Sequence, residues 1–491
     1  MSSSDRKSKG ANRIASAILL VATAGAPLPF GSRDMTTVAL WCFLLGVGLI
    51  FASPRHLLPH HKVLLAGVAV LALCFAFVLH EQLSEHPWIA QPHQIWAKAS
   101  TLMSKPLVPV VSILRGEPFY ALGPSLAAML ALILGLVIGA EPARARQALM
   151  VFGWSAVGYA LYGIGSLLYG QIAAGTSTSL DGNLTSTFIN RNTAAAYFGS
   201  AAAVWLMLVL SKLRGRLPRG PVVWAEMPKH LFADGSVERE LIVRFCSFFI
   251  CLAAMFMTGS RAGVFVSLFV MSLAFVVFFR RDLPRGKGLV IAAFGAAAGA
   301  LILLQVLGGN VEGRIDIVGL TDPARAEAWR STLRMIGDHP WFGTGLGTFA
   351  WAFPSYRSAN ISILGVWDLA HSTPLELAAE LGIPLTALIT AGWIAAFIVL
   401  FRGSSRSRRR TVAPLAAFAA ALIANVHSAV DFSLQVPGYA IVIFAITGVG
   451  LAQSFNSVTP GRRRRSRSAS VQEPELRKAN GGAVVELSPP S

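Results

Sequence analysis

The sequence predicts an all-α integral membrane protein with about twelve transmembrane helices and a long external loop that carries short helices. Three observations lead there. First, the 491 residues are 54% hydrophobic and only 13% charged, with a mean hydropathy of +0.58. A soluble chain carries about 25% charged residues, so this one has too little polar surface to face water. Second, apolar stretches long enough to cross roughly 30 Å of hydrocarbon recur along the chain. Third, the cations fall in short clusters between those stretches: Arg144 to Arg146, Lys212 to Arg219, Arg280-Arg281, Arg402 to Arg410 and Arg462 to Arg467. That is the pattern of cytoplasmic loops. It accounts for the net charge of +18 and excludes nucleic acid as a partner.

The expected spans lie near 13–31, 36–53, 62–80, 121–140, 147–169, 193–211, 241–258, 261–279, 288–307, 376–401, 412–430 and 435–453. Nine spans thus fill 1–307, an external loop follows at 308–375, three spans fill 376–453, and a tail occupies 454–491. Threading from a cytoplasmic N-terminus puts nearly every Lys/Arg cluster inside and both termini in the cytoplasm. The large outside segments are then 81–120, 170–192 and 308–375. The first span resembles a signal peptide, with Arg6 and Lys7 before the apolar run and Ala22-Thr23-Ala24 after it. With many spans behind it, it reads as an uncleaved anchor. The Arg/Ser-rich tail reads as disordered, with Arg462 to Arg465 against lipid headgroups. Cys42, Cys74, Cys246 and Cys251 read as small buried hydrophobes, with neither disulfide nor zinc-ligand spacing.

The 308–375 loop is dense in aromatics, from Trp329 to Trp367, which suits a membrane–water boundary or stacking on sugar rings. Within it, Asp322 is the expected N-cap of a helix that starts at Pro323. Arg325, Trp329 and Leu333 then share one face, and Asp338-His339-Pro340 ends the helix. The run Trp341 to Phe349 contains Gly343, Gly345 and Gly347, which permit tight turns and close backbone approach. It lacks the Gly-Lys-Ser/Thr ending of a phosphate-binding loop. In Ala370 to Glu376, Thr373 reads as an N-cap, Pro374 as the first helical residue and Glu376 as the capping-box partner that opens the tenth span.

His371 stands just before that helix. A neutral imidazole there is a candidate general base, and the alternative is a histidine that only hydrogen-bonds the helix entrance. Outside arginines run against the positive-inside rule: Arg191, flanked by Asn190 and Asn192, then Arg261, Arg325 and Arg330. Their functional reading is an anion site, because guanidinium forks match phosphate oxygens and keep their charge. The alternatives are snorkelling or pairing with Asp316, Asp322 or Glu327. Arg261 is the least comfortable under those alternatives, since it sits at a span entrance between small neighbours.

These residues occur in an order that resembles the O-antigen ligase/polymerase superfamily of bacterial membrane glycosyltransferases. The carriers are Phe188 to Ala195, Ser260 to Gly263, Arg325 with Trp329, Pro340 to Gly347, and His371 with Leu375, Glu380, Leu381 and Gly382. The resemblance implies an inner-membrane protein whose long loop is periplasmic. It implies transfer of a glycan from undecaprenyl diphosphate to an acceptor hydroxyl, inverting and without metal or other cofactor. Ligases use lipid A–core as acceptor, polymerases the next lipid-linked repeat, and related members glycosylate proteins. By the same resemblance Arg191, Arg261 and Arg325 bind the diphosphate and His371 is the general base. Asn190, Asn192, Trp329, Arg330, Glu376 and Glu380 support them, with Asp368, Glu376 and Glu380 as rival bases. The histidine favours ligase-type chemistry over polymerase. A transporter of lipid-linked sugars would want related halves and mid-span charges, and the sequence has no internal repeat and few such charges. A non-catalytic scaffold would leave Arg191, Arg261 and His371 without a shared purpose.

Overall fold

A computed structural model describes residues 3–169, 182–216, 239–280, 295, 323–361, 367–407 and 411–455. Among the described residues every element is helical. The helices that matter below are α1 (Ser3–Gly25), α2 (Met35–Phe51), α3 (Pro59–Leu83), α4 (Ile95–Leu102), α5 (Glu117–Tyr120), α6 (Leu122–Gly139), α7 (Pro142–Leu168) and α8 (Arg191–Arg216). They continue with α9 (Arg239–Met257), α10 (Arg261–Phe279), α11 (Pro323–Asp338), α12 (Phe349–Ala352), α13 (Thr373–Leu381), α14 (Ile383–Ser407), α15 (Ala413–Ser428) and α16 (Pro437–Gln453).

Among the described residues seven helical stretches are long and apolar enough to cross a membrane: α3, α5–α6, α7, α8, α9, α10 and α14. Four shorter apolar helices, within α1 and at α2, α15 and α16, coincide with further expected spans. The chain is a multi-pass membrane protein. The expected ninth span, 288–307, lies outside the described residues except for residue 295, as do Asp316, Asp322 and the tail beyond 455.

Sequence decides which helix is central. In α8, 94% of the apolar window is buried, whereas in α3 the share is 11% and in α14 17%. The alanines and Gly199 of α8 let neighbours approach closely, as small residues do between membrane helices. Helices α3 and α14 keep large apolar side chains on their outer faces, where acyl chains would cover them. At one end of the bundle Glu240 collects Lys212, Arg146 and Arg244. The other end is where α8 and α10 begin.

The structure corrects three expectations. The tenth span does not start at Glu376: residues 373–381 form the separate helix α13, and the span begins at Ile383. Gly382 makes the break with φ 84°, a conformation that costs glycine little. A Cβ there would strike the Trp341 carbonyl, so the break is also a packing contact. Nor is there a capping box: Thr373 is the first helical residue, and Ser372 precedes it without a side-chain cap bond. Glu376 accepts from the Ala370 N–H instead, at 2.6 Å, because the chain turns back at His371 and swings that N–H towards the helix. Finally, only Cys251 is buried; Cys42 and Cys74 are half-buried and Cys246 is exposed on its helix.

Candidate functional site

Helix caps set the first two cations. Asn190 Oδ1 accepts from the N–H groups of Asn192 (2.6 Å) and Thr193 (3.2 Å), which fixes Arg191 as the first residue of α8. Ser260 Oγ accepts from the Gly263 N–H at 3.3 Å and likewise fixes Arg261 as the first residue of α10. Ser260 Oγ also donates to Asn192 Oδ1 at 2.8 Å, tying the two N-termini together. Two positive helix ends and two half-buried guanidiniums therefore share one place.

Asp431, in the turn after α15, closes the group. Its Oδ2 accepts from Asn192 Nδ2 and lies 3.5 Å from Arg325 Nη2. Its Oδ1 accepts from the Phe432 N–H at 2.7 Å, and the carboxylate is buried. Arg325 also donates to the Val430 carbonyl at 3.1 Å. The Thr373 N–H donates to the Asp431 carbonyl at 3.3 Å, which draws the start of α13 into the same cluster. Behind it His427 Nδ1 meets Ser433 Oγ at 2.9 Å.

His371 is held from both sides. Trp329 Nε1 donates to the Ala370 carbonyl at 3.1 Å, while Glu376 accepts the Ala370 N–H. The imidazole lies edge-on to Trp367 (5.3 Å between ring centroids) and to Phe432 (5.0 Å). His371 adopts φ 51°, in the left-handed region that side chains avoid. Such strain costs about 1–3 kcal/mol and persists where the surroundings impose it, often at functional sites.

The loop carrying the glycines supports α13. Gly343 has φ 66°, and a Cβ on it would collide with the backbone of Glu380. The Thr344 and Gly345 N–H groups donate to the Ala379 and Glu380 carbonyls at 2.9 and 3.1 Å. Gln82, at the end of α3, donates to the Phe342 and Glu380 carbonyls, both at 2.7 Å, and accepts from the Leu346 N–H at 3.0 Å. Glu380 accepts from the Phe349 N–H at 2.9 Å. Burial pushes the carboxyls of both Glu376 and Glu380 up, and each is tied to backbone inside the fold. The fold thus uses both carboxyls to hold backbone, Glu376 at Ala370 and Glu380 at Phe349.

Of the sequence-derived set, Asn190, Arg191, Asn192, Arg261, Arg325, Trp329, His371 and Glu376 join one connected cluster. Arg330 does not: it is exposed and pairs with Glu327 one turn away, the alternative that the sequence also allowed. Asp368 is exposed beside Trp367. Sequence reasoning missed Asp431, Gln82 and His427. An acidic residue in the otherwise uncharged stretch 411–455 was the available signal for Asp431.

Residues 246–390 match the family model described as O-antigen ligase. That stretch contains Arg261, Arg325 and His371, whereas Arg191, Asn192 and Asp431 lie beyond it. No curated protein matches the chain. Helical membrane architecture, the order of the motifs and this match agree: the 246–390 stretch is similar to the O-antigen ligase family and supports the resemblance to the O-antigen ligase/polymerase superfamily.

Proposed function

We propose that the protein is a ligase-type glycosyltransferase that moves a glycan from undecaprenyl diphosphate to an acceptor hydroxyl, such as one on lipid A–core, at the periplasmic face of the bacterial inner membrane. Both termini are then cytoplasmic, with the cations around Glu240 at the inner face and the Arg261 cluster at the outer one.

One observation carries this reading. Arg261 Nη1 is buried and has no hydrogen-bond partner among the described residues. A buried guanidinium nitrogen without a partner is costly, and a phosphate oxygen satisfies it with a charge-assisted bond. Its neighbours in the cluster are already engaged with one another, so Arg261 is the position that an incoming anion completes.

The chemistry follows from the residues. The acceptor oxygen attacks the anomeric carbon, and its proton passes to His371. The bond from that carbon to the phosphate oxygen breaks, and the diphosphate leaves with the electron pair. Attack opposite the leaving group inverts the carbon. Arg191 and Arg261 balance the charge that grows on the diphosphate, and Arg325, oriented by Asp431, adds a third cation. Proton transfer by a positioned base contributes roughly 10²–10⁴-fold.

The test is transfer by purified protein from a lipid-linked donor. Arg261→Ala should lower the rate about 10²–10³-fold, the cost of one preorganised donor. Wild-type transfer by a membrane-inserted Arg261→Ala protein removes the diphosphate reading.

A further inference from the structure

A cavity lies apart from the arginine cluster. It encloses about 1390 Å³ between the 89–113 segment and the 338–356 loop, and none of Arg191, Asn192, Arg261, Arg325, His371 or Asp431 lines it. Sites for small ligands run to roughly 300–1,000 Å³, so this one has room for several linked rings.

Its lining divides in two. One wall is apolar, with Phe77 and Val78 from α3 and Leu385 and Leu388 from α14. Those are the two spans with the least protein around them, so this wall continues into lipid-facing helix surface. The other wall is polar and comes from the loops. It carries one cation, Lys98, one anion, Asp338, and the pair His93 and His339, whose Nε2 atoms lie 3.2 Å apart. Burial pushes both imidazoles down, His93 to about 4, so near neutral pH the pair is uncharged and the lining carries no net charge. Trp341 and Trp351 line the same space and keep 71% and 65% of their surface exposed, so neither ring is filling a core.

A phosphate-bearing headgroup would need an excess of cations here, and there is none. A surface of neutral donors and acceptors beside flat aromatic rings suits polyhydroxylated rings instead. The apolar wall suits a hydrocarbon anchor. We infer that this cavity holds the neutral sugar residues of a membrane-anchored glycolipid, with its hydrocarbon along α3 and α14 and its saccharide under the loops. The inference rests on the glycan-transfer reading for what the sugars belong to; the binding test below does not involve the arginine cluster.

The experiment uses the full chain in amphipol and dodecyl maltoside below its micelle concentration, with dodecyl phosphate as the anionic comparison. Binding is counted by native mass spectrometry and titrated by calorimetry. Dodecyl maltoside should bind at least tenfold more tightly than dodecyl phosphate. Trp341→Ala and Trp351→Ala should each weaken it about tenfold, as loss of an aromatic anchor does. Both rings are largely exposed, so these variants should keep their fold; Lys98→Gln gives a second, milder probe and should leave maltoside affinity within twofold. Arg261→Ala should bind maltoside like wild type, which separates this site from the diphosphate reading. Equal or tighter binding of dodecyl phosphate, or unchanged maltoside affinity in both tryptophan variants, overturns the inference.

Discussion

Asp431 gives the sharpest mutational test, because its role is to hold Arg325. The Arg325 Nη2 to Asp431 Oδ2 separation is 3.5 Å, with the arginine side chain 26% exposed and the aspartate 1%. Two opposite charges at that range attract by about 5 kcal/mol at an effective dielectric near 20, before screening. Water at the arginine returns part of this, and Arg325 keeps its bond to the Val430 carbonyl. A coupling of roughly 1–3 kcal/mol should remain in the transition state, which corresponds to about 5- to 150-fold in rate. The assay is glycan transfer by four purified proteins: wild type, Asp431→Asn, Arg325→Ala and the double variant. Asp431→Asn keeps the shape of the side chain and loses the charge. If Asp431 acts through Arg325, the double variant should be little worse than Arg325→Ala alone. Multiplicative losses, with a coupling near zero, would refute the positioning role and leave Asp431 as a merely structural acid.

Other expectations follow from the same geometry. His371→Gly removes the proposed base and relieves the left-handed backbone, so transfer should fall about 10²–10⁴-fold while the melting temperature holds or rises; a lower melting temperature would contradict the strain. Trp329→Phe deletes the bond to the Ala370 carbonyl, worth about 0.5–1.5 kcal/mol, and should slow transfer several-fold without changing donor binding. The His93–His339 contact makes the loops acid-sensitive. His93 is pushed down to about 4, mainly by burial, then by His339 and Lys98, while Asp338 opposes the fall at His339. The unfolded histidine takes its proton near its ordinary value of about 6.5, so this stabilisation is complete above that pH and is lost as pH falls towards 4. Protection of residues 88–95 against hydrogen exchange, taken relative to the intrinsic rate at each pH, should fall between pH 6.5 and 4.5, and His93→Gln should flatten that response; an unchanged slope in the variant would assign it elsewhere.

How much of this was legible in the sequence depends on the range of the interaction. Hydropathy located the described spans because crossing a bilayer is a property of one segment. Local capping located Arg191, because Asn190 acts two and three residues away. Hydropathy also misled where it was continuous: the apolar run from Glu376 to Phe401 hides the break at Gly382, which is set by contact with Trp341. The capping-box pattern at Thr373 and Glu376 failed for a similar reason, since the turn at His371 offers Glu376 a different N–H. Asp431 stood out only as a lone acid in an apolar stretch; its partners, Asn192, Arg325 and Thr373, come from three distant segments. No spacing rule reads such a meeting; only packing brings it about.

Helix α3 has scarcely any protein along its length, yet its last turn grips the loops hard. Glu81 accepts from the N–H groups of Trp88, Ile89 and Ala90, and Gln82 holds residues 342, 346 and 380. The first turn of α3 is tied as well, with His61 Nε2 2.9 Å from the Ala452 carbonyl. A rod pinned at both ends while acyl chains cover its middle works as a brace, and two side chains at its far tip hold the ground on which α13 and His371 stand.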